Sequence, residues 1–331
     1  MNTITVKYWG GTGNCLFQIG AAIYYSNKLN RPFLLNEHPG FPNLKKYSPK
    51  SIGLDEEEYA KSLCEHNESD ISKNVEFPEK NVLLSGFFQD YRICDEYKEY
   101  LVDVLGIPTI RKNVVSIISH PAFQSRGLFW NPSTTEITVS LHIRRGDYEN
   151  LRCYFILLDE YYYKNAVLYL MGKLSGTYKR VRILCFYEKQ SHEPANQIIH
   201  SLELDKDLLQ FPIEYYHFNE IVPLCLQNAY CVSPDNHPIP TFVPLFGIVP
   251  NQSITDIEEM AIMSHCDHHI IANSTYSWWS AYINENPDKI VCYPNEWYNH
   301  QLYYLSTAGF NADGFIPIPA WNPRIKKCGC F

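Results

Sequence analysis

Val139-Ser140-Leu141-His142-Ile143-Arg144-Arg145-Gly146-Asp147-Tyr148 begins as an alternating segment and ends as a turn. Val139, Leu141 and Ile143 point one way and Ser140, His142 and Arg144 the other, the period of a strand with one buried face. Gly146 stands where the strand stops, and glycine reaches backbone conformations closed to other residues. Two neighbouring guanidiniums at the end of a buried strand are costly unless an anion meets them. The planar fork of arginine matches phosphate oxygens two at a time, and ligands of open α/β sheets bind beyond the carboxyl ends of strands. The stretch therefore predicts a phosphate-type anion site at Arg144 and Arg145. The plainer alternative is an arginine paired with Asp147 to fix the turn.

The chain around it has 331 residues, of which 45% are hydrophobic and 19% charged, so a sizeable core and two domains are expected. A net charge of −8 excludes a broad nucleic-acid surface and leaves any anionic ligand to a few focused cations. Asn131-Pro132 and the polar run Ser133–Glu136 predict a boundary, giving domains 1–135 and 136–331. No apolar run reaches signal-peptide or membrane-span length, so a soluble, cytoplasmic protein is expected. Eleven cysteines without paired metal spacing read as reduced thiols. Cys328-Gly329-Cys330 reads as a tail rather than a prenylation signal, and Asn67, Asn251 and Asn273 head glycosylation sequons that matter only in a secreted chain.

Ile4–Tyr8 alternates as a strand and runs into Gly10-Gly11-Thr12-Gly13-Asn14, after which Phe17, Ala21 and Tyr24 carry helical spacing. Strand, glycine loop and helix is the opening of a nucleotide-binding unit, with backbone amides available to an anion. A dinucleotide fingerprint would want a third glycine where Leu16 stands, although Glu37, at the end of an expected strand Phe33–Glu37, would suit one. Asp55–Glu58 reads as a solvated helix face. Further along, a strand at 82–88, a helix at 161–174, a strand at 181–187 and a helix at 195–202 continue the alternation, which predicts parallel α/β architecture on both sides of the boundary. Asp205-Lys206-Asp207 has the spacing of a metal-holding pair but sits among leucines. Cys231–Pro250 is proline-rich and reads as a long loop.

A second cluster runs from His268 to Tyr282. Ile270–Ala272 predicts a short buried strand, and Asn273, Ser274 and Thr275 supply the start of a helix, a second anion cradle if its strand shares a sheet with the arginine strand. His268 and His269 have no third ligand nearby and read as structural histidines. Trp278 and Trp279, being adjacent, are not expected to face one core together.

With these motifs laid out, the chain resembles the α-1,2-fucosyltransferase family nearly end to end. Gly10–Gln18 is similar to the family's Gly-Gly-Leu-Gly-Asn-Gln-Leu-Phe-Gln, with Thr12 and Cys15 as departures. His142–Tyr148 matches the sugar-nucleotide motif, and Glu259–Cys266, Asn273–Trp279 and Pro294–Trp297 resemble the C-terminal signature. The resemblance implies a GT-B-like fold of two Rossmann-like domains facing a central cleft, the first on the acceptor side and the second binding the sugar nucleotide. It implies an inverting transferase with GDP-fucose as donor, an oligosaccharide acceptor and no metal or other cofactor. By the same likeness Arg144 would contact the diphosphate, Asn14 would reach toward the donor with Gly11 and Gly13 beside it, and Ser274, Thr275 and Tyr276 would line the phosphate and sugar end.

The chemistry agrees with that implication. Cleaving the bond from the sugar to a diphosphate leaves negative charge on the departing group, which fixed guanidiniums and helix-start amides stabilise. A carboxylate or histidine must accept the acceptor hydroxyl's proton; His142 and Asp147 are nearest, and Asp147 equally suits orienting Arg144 or Arg145. Two rivals stand beside this reading: an NAD-dependent oxidoreductase, resting on the first glycine loop and Glu37, and a non-catalytic sugar-binding protein, resting on 25 tyrosines and 6 tryptophans.

Overall fold

Every strand of the two main sheets runs parallel to its neighbours. The structure, a computed structural model, describes residues 2–129, 135–204, 212–227, 231–232, 238–239, 254–302 and 305–322. Asn131–Ser133, Asp205–Asp207, most of Cys231–Pro250, the Asn251 sequon and Cys328–Cys330 lie outside them. The chain divides into two compact units: residues 1–111 with 255–258 and 308–312, and residues 112–254 with 259–307 and 313–331. Where the composition predicts a change at 135/136, the first crossing falls at 111/112, inside the helix Ile107–Ile118.

The first unit carries β1 (Ile4–Val6), β2 (Leu63–Asn67) and β3 (Asn81–Ser85) in the order β1-β3-β2. The expected strand at Phe33–Glu37 shrinks to one bridge between Ile4 and Phe33, because the chain soon enters the 3-10 turn opened by Pro42. The glycine loop leads into the helix Thr12–Leu29, whose apolar face (Leu16, Phe17, Ile19, Ala22, Ile23) is buried. It stops at Asn30, which takes the left-handed conformation at φ 50° and caps the last turn. The acidic run opens the helix Glu56–Ser62, with Asp55 accepting from the Glu58 amide at 2.8 Å.

In the second unit β4 (Glu136–Ile143), β5 (Arg180–Tyr187), β6 (Ile213–His217), β9 (His268–Ile270), β10 (Val291–Pro294) and β11 (Phe315–Ile318) form one sheet; a separate two-residue pair, β7 (Cys231–Val232) and β8 (Pro238–Ile239), is antiparallel. The order β6-β5-β4-β9-β10-β11 is the doubly wound Rossmann order, with the first strand of the unit beside the fourth. The alternation in β4 predicts one buried face; in fact all residues from Ile137 to Ile143 are buried. Helices cover both faces of a parallel sheet, so its strands are enclosed on each side. Ile137, Val139, Leu141 and Ile143 pack against Tyr163, Val167 and Leu170 of the helix Glu160–Leu174, each such side chain stabilising the fold by about 1.5–3 kcal/mol. On the other face Ser140 escapes a desolvation penalty by bonding His269 Nδ1 at 2.7 Å. Among the described residues no helix is long and apolar enough to cross a membrane.

Candidate anion-binding site at the strand ends

β4 and β9 are adjacent, with Val139 beside His268 and Leu141 beside Ile270. Their carboxyl ends therefore bring the arginine turn and the Asn273–Thr275 helix start to one edge of the sheet. This is the point where the strand order reverses, the position at which doubly wound sheets bind ligands.

Arg144 leaves β4 half-buried and is gripped from two sides. One guanidinium nitrogen donates to Glu188, the residue directly after β5, and another to Asp147. Its guanidinium carbon also lies 4.9 Å from the centroid of the Tyr148 ring. Gly146 takes φ +50°, and a Cβ there would run into the Glu188 carboxylate. Its amide donates to Ser191 Oγ at 3.0 Å, fixing the turn against the end of β5. Arg145 points to a different carboxylate, Glu149, at 3.5 Å. The plain reading of the turn thus holds for Asp147, which orients Arg144. The same geometry presets the fork of a guanidinium at the strand end.

His142, 5% exposed, has no protein partner at Nδ1 among the described residues, and its ring centroid lies 5.8 Å from that of Tyr276. Burial, aided by the positive charge of Arg144, lowers its pKa from the usual 6.5 to about 3. The imidazole is neutral across the physiological range and a weak proton acceptor there.

Asn273 is buried and anchors the second cradle. Its Nδ2 donates to the carbonyls of Ile156 at 2.8 Å and Trp297 at 3.1 Å. Its own carbonyl accepts from Tyr148 Oη at 3.0 Å, and burial pushes the Tyr148 phenol up to about 12. Ser274 is the N-cap of the helix Thr275–Tyr282 but makes no side-chain capping bond, so the first amides of this helix are not closed off by their own cap. Among the described residues, His142 Nδ1, Arg144 Nε, Arg145 Nε and Asn273 Oδ1, all buried on this edge, have no protein partner. Buried polar atoms are ordinarily satisfied, and their gathering here fits a polar ligand.

Other expectations fall elsewhere. Gly11, Gly13 and Asn14 lie in the first unit, where Gly10 takes φ +77° and Asn14 Oδ1 accepts from Gln89 at 3.0 Å. Glu37 lines a separate cavity of about 530 Å³ there, with Lys50, Glu56 and Tyr59. His269 is bonded at both ring nitrogens, to Ser140 and, at 2.7 Å, to Asn284, as a structural histidine should be. Trp278 and Trp279 are both fully buried, because the helix they share is enclosed nearly all round and adjacent rings can pack on different sides of it. Among the described residues no cluster of three His, Cys, Asp or Glu side chains has the arrangement of metal ligands. Glu188, Tyr148 and Ser191 were not singled out by sequence; the one signal for Glu188 was its place immediately after an expected strand.

Residues 249–311 match the model of Glycosyl transferase family 11, a segment that includes Asn273–Tyr276. The chain is 24% identical over 217 residues to the O-antigen biosynthesis glycosyltransferase WbnK of Escherichia coli, covering 65% of this chain and 55% of that protein. It is 22% identical over 301 residues to an alpha-1,2-colitosyltransferase of Escherichia coli, covering 89% of this chain and 75% of the relative. The match to the first of these relatives thus spans little more than half of that protein's length. Among solved structures, the fucosyltransferase NodZ from Bradyrhizobium aligns with a TM-score of 0.42 at 11% identity, over 85% of this chain and 93% of that one.

Proposed function

We propose that this chain, a glycosyltransferase of family 11, moves L-fucose from GDP-fucose to a glycan hydroxyl, O2 of a galactose, with inversion and an α-1,2 linkage. The observation that carries the reading is the meeting of Arg144 with the Asn273–Thr275 helix start on adjacent strand ends. In this reading the acceptor hydroxyl attacks C1 of the sugar and gives its proton to a carboxylate or histidine base, Asp147 or His142, while the bond from C1 to the diphosphate breaks and its electron pair leaves with GDP. Arg144 and the amides at the helix start stabilise the charge that develops on the leaving group, which a preorganised site does without reorganising. Arg145 adds positive potential, and Ser274, Thr275 and Tyr276 line the sugar end. Asp147 and Glu188 hold the Arg144 fork in place, and His142 remains neutral beside it.

The linkage leans on the name of the colitosyltransferase relative, which also favours a second donor sugar, colitose. A thermal-shift panel of GDP, GDP-fucose, GDP-colitose, GDP-mannose, a UDP-sugar and NAD separates these. A ligand at a hundredfold excess over its Kd stabilises the folded state by about 2.7 kcal/mol. GDP-fucose and GDP should raise the Tm, and NAD should not. Stabilisation by NAD alone would restore the oxidoreductase reading. NMR of the product's anomeric proton should show an α-fucoside; a β product overturns inversion from a β-linked donor.

A further inference from the structure

Two large aromatic side chains stand out of the first unit at neighbouring strand ends. Trp9 is 47% exposed and Phe87 is 48% exposed, whereas Phe88 beside it is 1% exposed. β1 and β3 pair in parallel (Ile4 beside Val82, Val6 beside Leu84), and Trp9 and Phe87 follow the carboxyl ends of these two neighbouring strands. The two segments are clamped together. The fully buried amide of Gln18 accepts from the Trp9 backbone at 3.0 Å and donates to the carbonyls of Trp9 at 3.3 Å and Gly86 at 3.2 Å.

The loop bearing Phe87 is held in a costly conformation. Phe88 takes φ +51°, the left-handed region that a bulky residue rarely enters. The carboxylate of Glu68 fixes it there, accepting from the amides of Phe87 at 2.9 Å and Phe88 at 3.1 Å. Gly86 is needed for that approach, since a Cβ on it would meet the Glu68 side chain. Lys7 lies over the Trp9 ring, its Nζ 4.3 Å from the centroid. A planar ring has two faces, and the exposure of Trp9 leaves surface for a second partner.

We infer that Trp9 and Phe87 form a stacking platform for a saccharide ring of the acceptor. The inference rests on the glycosyltransferase reading above. Ligands of open parallel sheets bind beyond the carboxyl ends of the strands, which is where Trp9 and Phe87 lie exposed. A pyranose ring offers a face of C–H groups that packs on an aromatic ring, while its hydroxyls stay in water. A nucleoside diphosphate wants cations and amides, which the second unit concentrates at Arg144 and the Asn273–Thr275 helix start; the apolar rings of Trp9 and Phe87 suit the C–H face of an uncharged sugar.

The test is binding of the full chain, in the presence of GDP, to an array of galactose-terminated oligosaccharides. Trp9→Ala and Phe87→Ala should each weaken capture about tenfold, equivalent to about 1.4 kcal/mol, and Trp9→Phe should keep most of it. The GDP thermal shift of each variant should equal that of the unaltered chain, which verifies folding and the donor side together. Trp9→Gln replaces Trp9→Ala if the latter loses that shift. Alanine variants that bind glycans as the unaltered chain does overturn the platform, as does an unaltered chain that captures none. Loss of the GDP-fucose shift in the unaltered chain would instead sink the donor assignment, and the glycan readout stands apart from it.

Discussion

The hydroxyl of Tyr148 donates to the backbone carbonyl of Asn273 at 3.0 Å, tying the turn after β4 to the segment after β9. The two anion cradles are therefore mechanically linked. The same ring stacks on Phe155 with centroids 4.4 Å apart and lies under the Arg144 guanidinium. Tyr148→Phe keeps both ring contacts and removes one hydrogen bond, worth about 1 kcal/mol net. Calorimetric titration with GDP should show about a fivefold weaker Kd for this variant, and a larger loss for Tyr148→Ala. Equal affinities for Tyr148→Phe and the unaltered chain would mean that the link does not bear on the ligand.

In the proposed reaction, fixed cations and amides at both strand ends take the part that a divalent ion plays in metal-dependent sugar-nucleotide transferases. Transfer should survive dialysis against EDTA with less than about a twofold change in rate, since no charge stabilisation would be withdrawn. Activity abolished by chelation and restored by manganese would overturn this and turn attention to Asp205 and Asp207.

Acid should destabilise the fold before it protonates the site. The His142 imidazole has its pKa lowered to about 3 by burial, and His268 to about 4 for the same reason. The unfolded chain binds a proton at each near pH 6.5, where the folded chain does not. Stability is thus fully present above about 6.5 and falls as the pH drops toward 3–4, by up to about 1.4 kcal/mol per pH unit for each histidine. Urea unfolding at pH 7 and pH 5 checks the sign. His142→Asn should reduce the slope by the share of one histidine, and a slope unchanged in that variant would contradict the assignment.

The part of this site legible in the sequence is the part encoded locally. The alternation before Arg144 and the glycine after Arg145 lie within ten residues, so strand and turn could be read together. The hydroxyl run at Asn273–Thr275 announced a helix start on equally local grounds. Strand pairing was out of reach, because β4 pairs with β9 across more than a hundred residues and nothing local records that adjacency. Glu188 looked like any polar residue leaving a strand; only its register beside Arg144 gives it meaning.

Arg144 should matter more to turnover than any other side chain at this edge, and its two carboxylates should matter through it. Arg144→Ala removes the fork and leaves Glu188, whose side chain is 30% exposed, without its strongest partner. Truncating one member of a hydrogen-bonded charge pair costs about 2–5 kcal/mol. If the loss falls on the transition state, where the leaving group carries most charge, kcat/KM drops by about 30- to 5,000-fold. Arg144→Lys should fail nearly as badly, because an ammonium cannot occupy two carboxylates and a diphosphate with the geometry of a fork. Glu188→Gln keeps the shape and loses the charge, so the guanidinium is less firmly held; kcat should fall by about tenfold with a smaller change in donor KM. Arg145→Ala should hurt least of these, since Arg145 answers to Glu149 instead. Circular dichroism of each variant separates misfolding from chemistry. A well-folded Arg144→Ala protein within about threefold of the unaltered rate, less than 1 kcal/mol, would remove the diphosphate from this strand end.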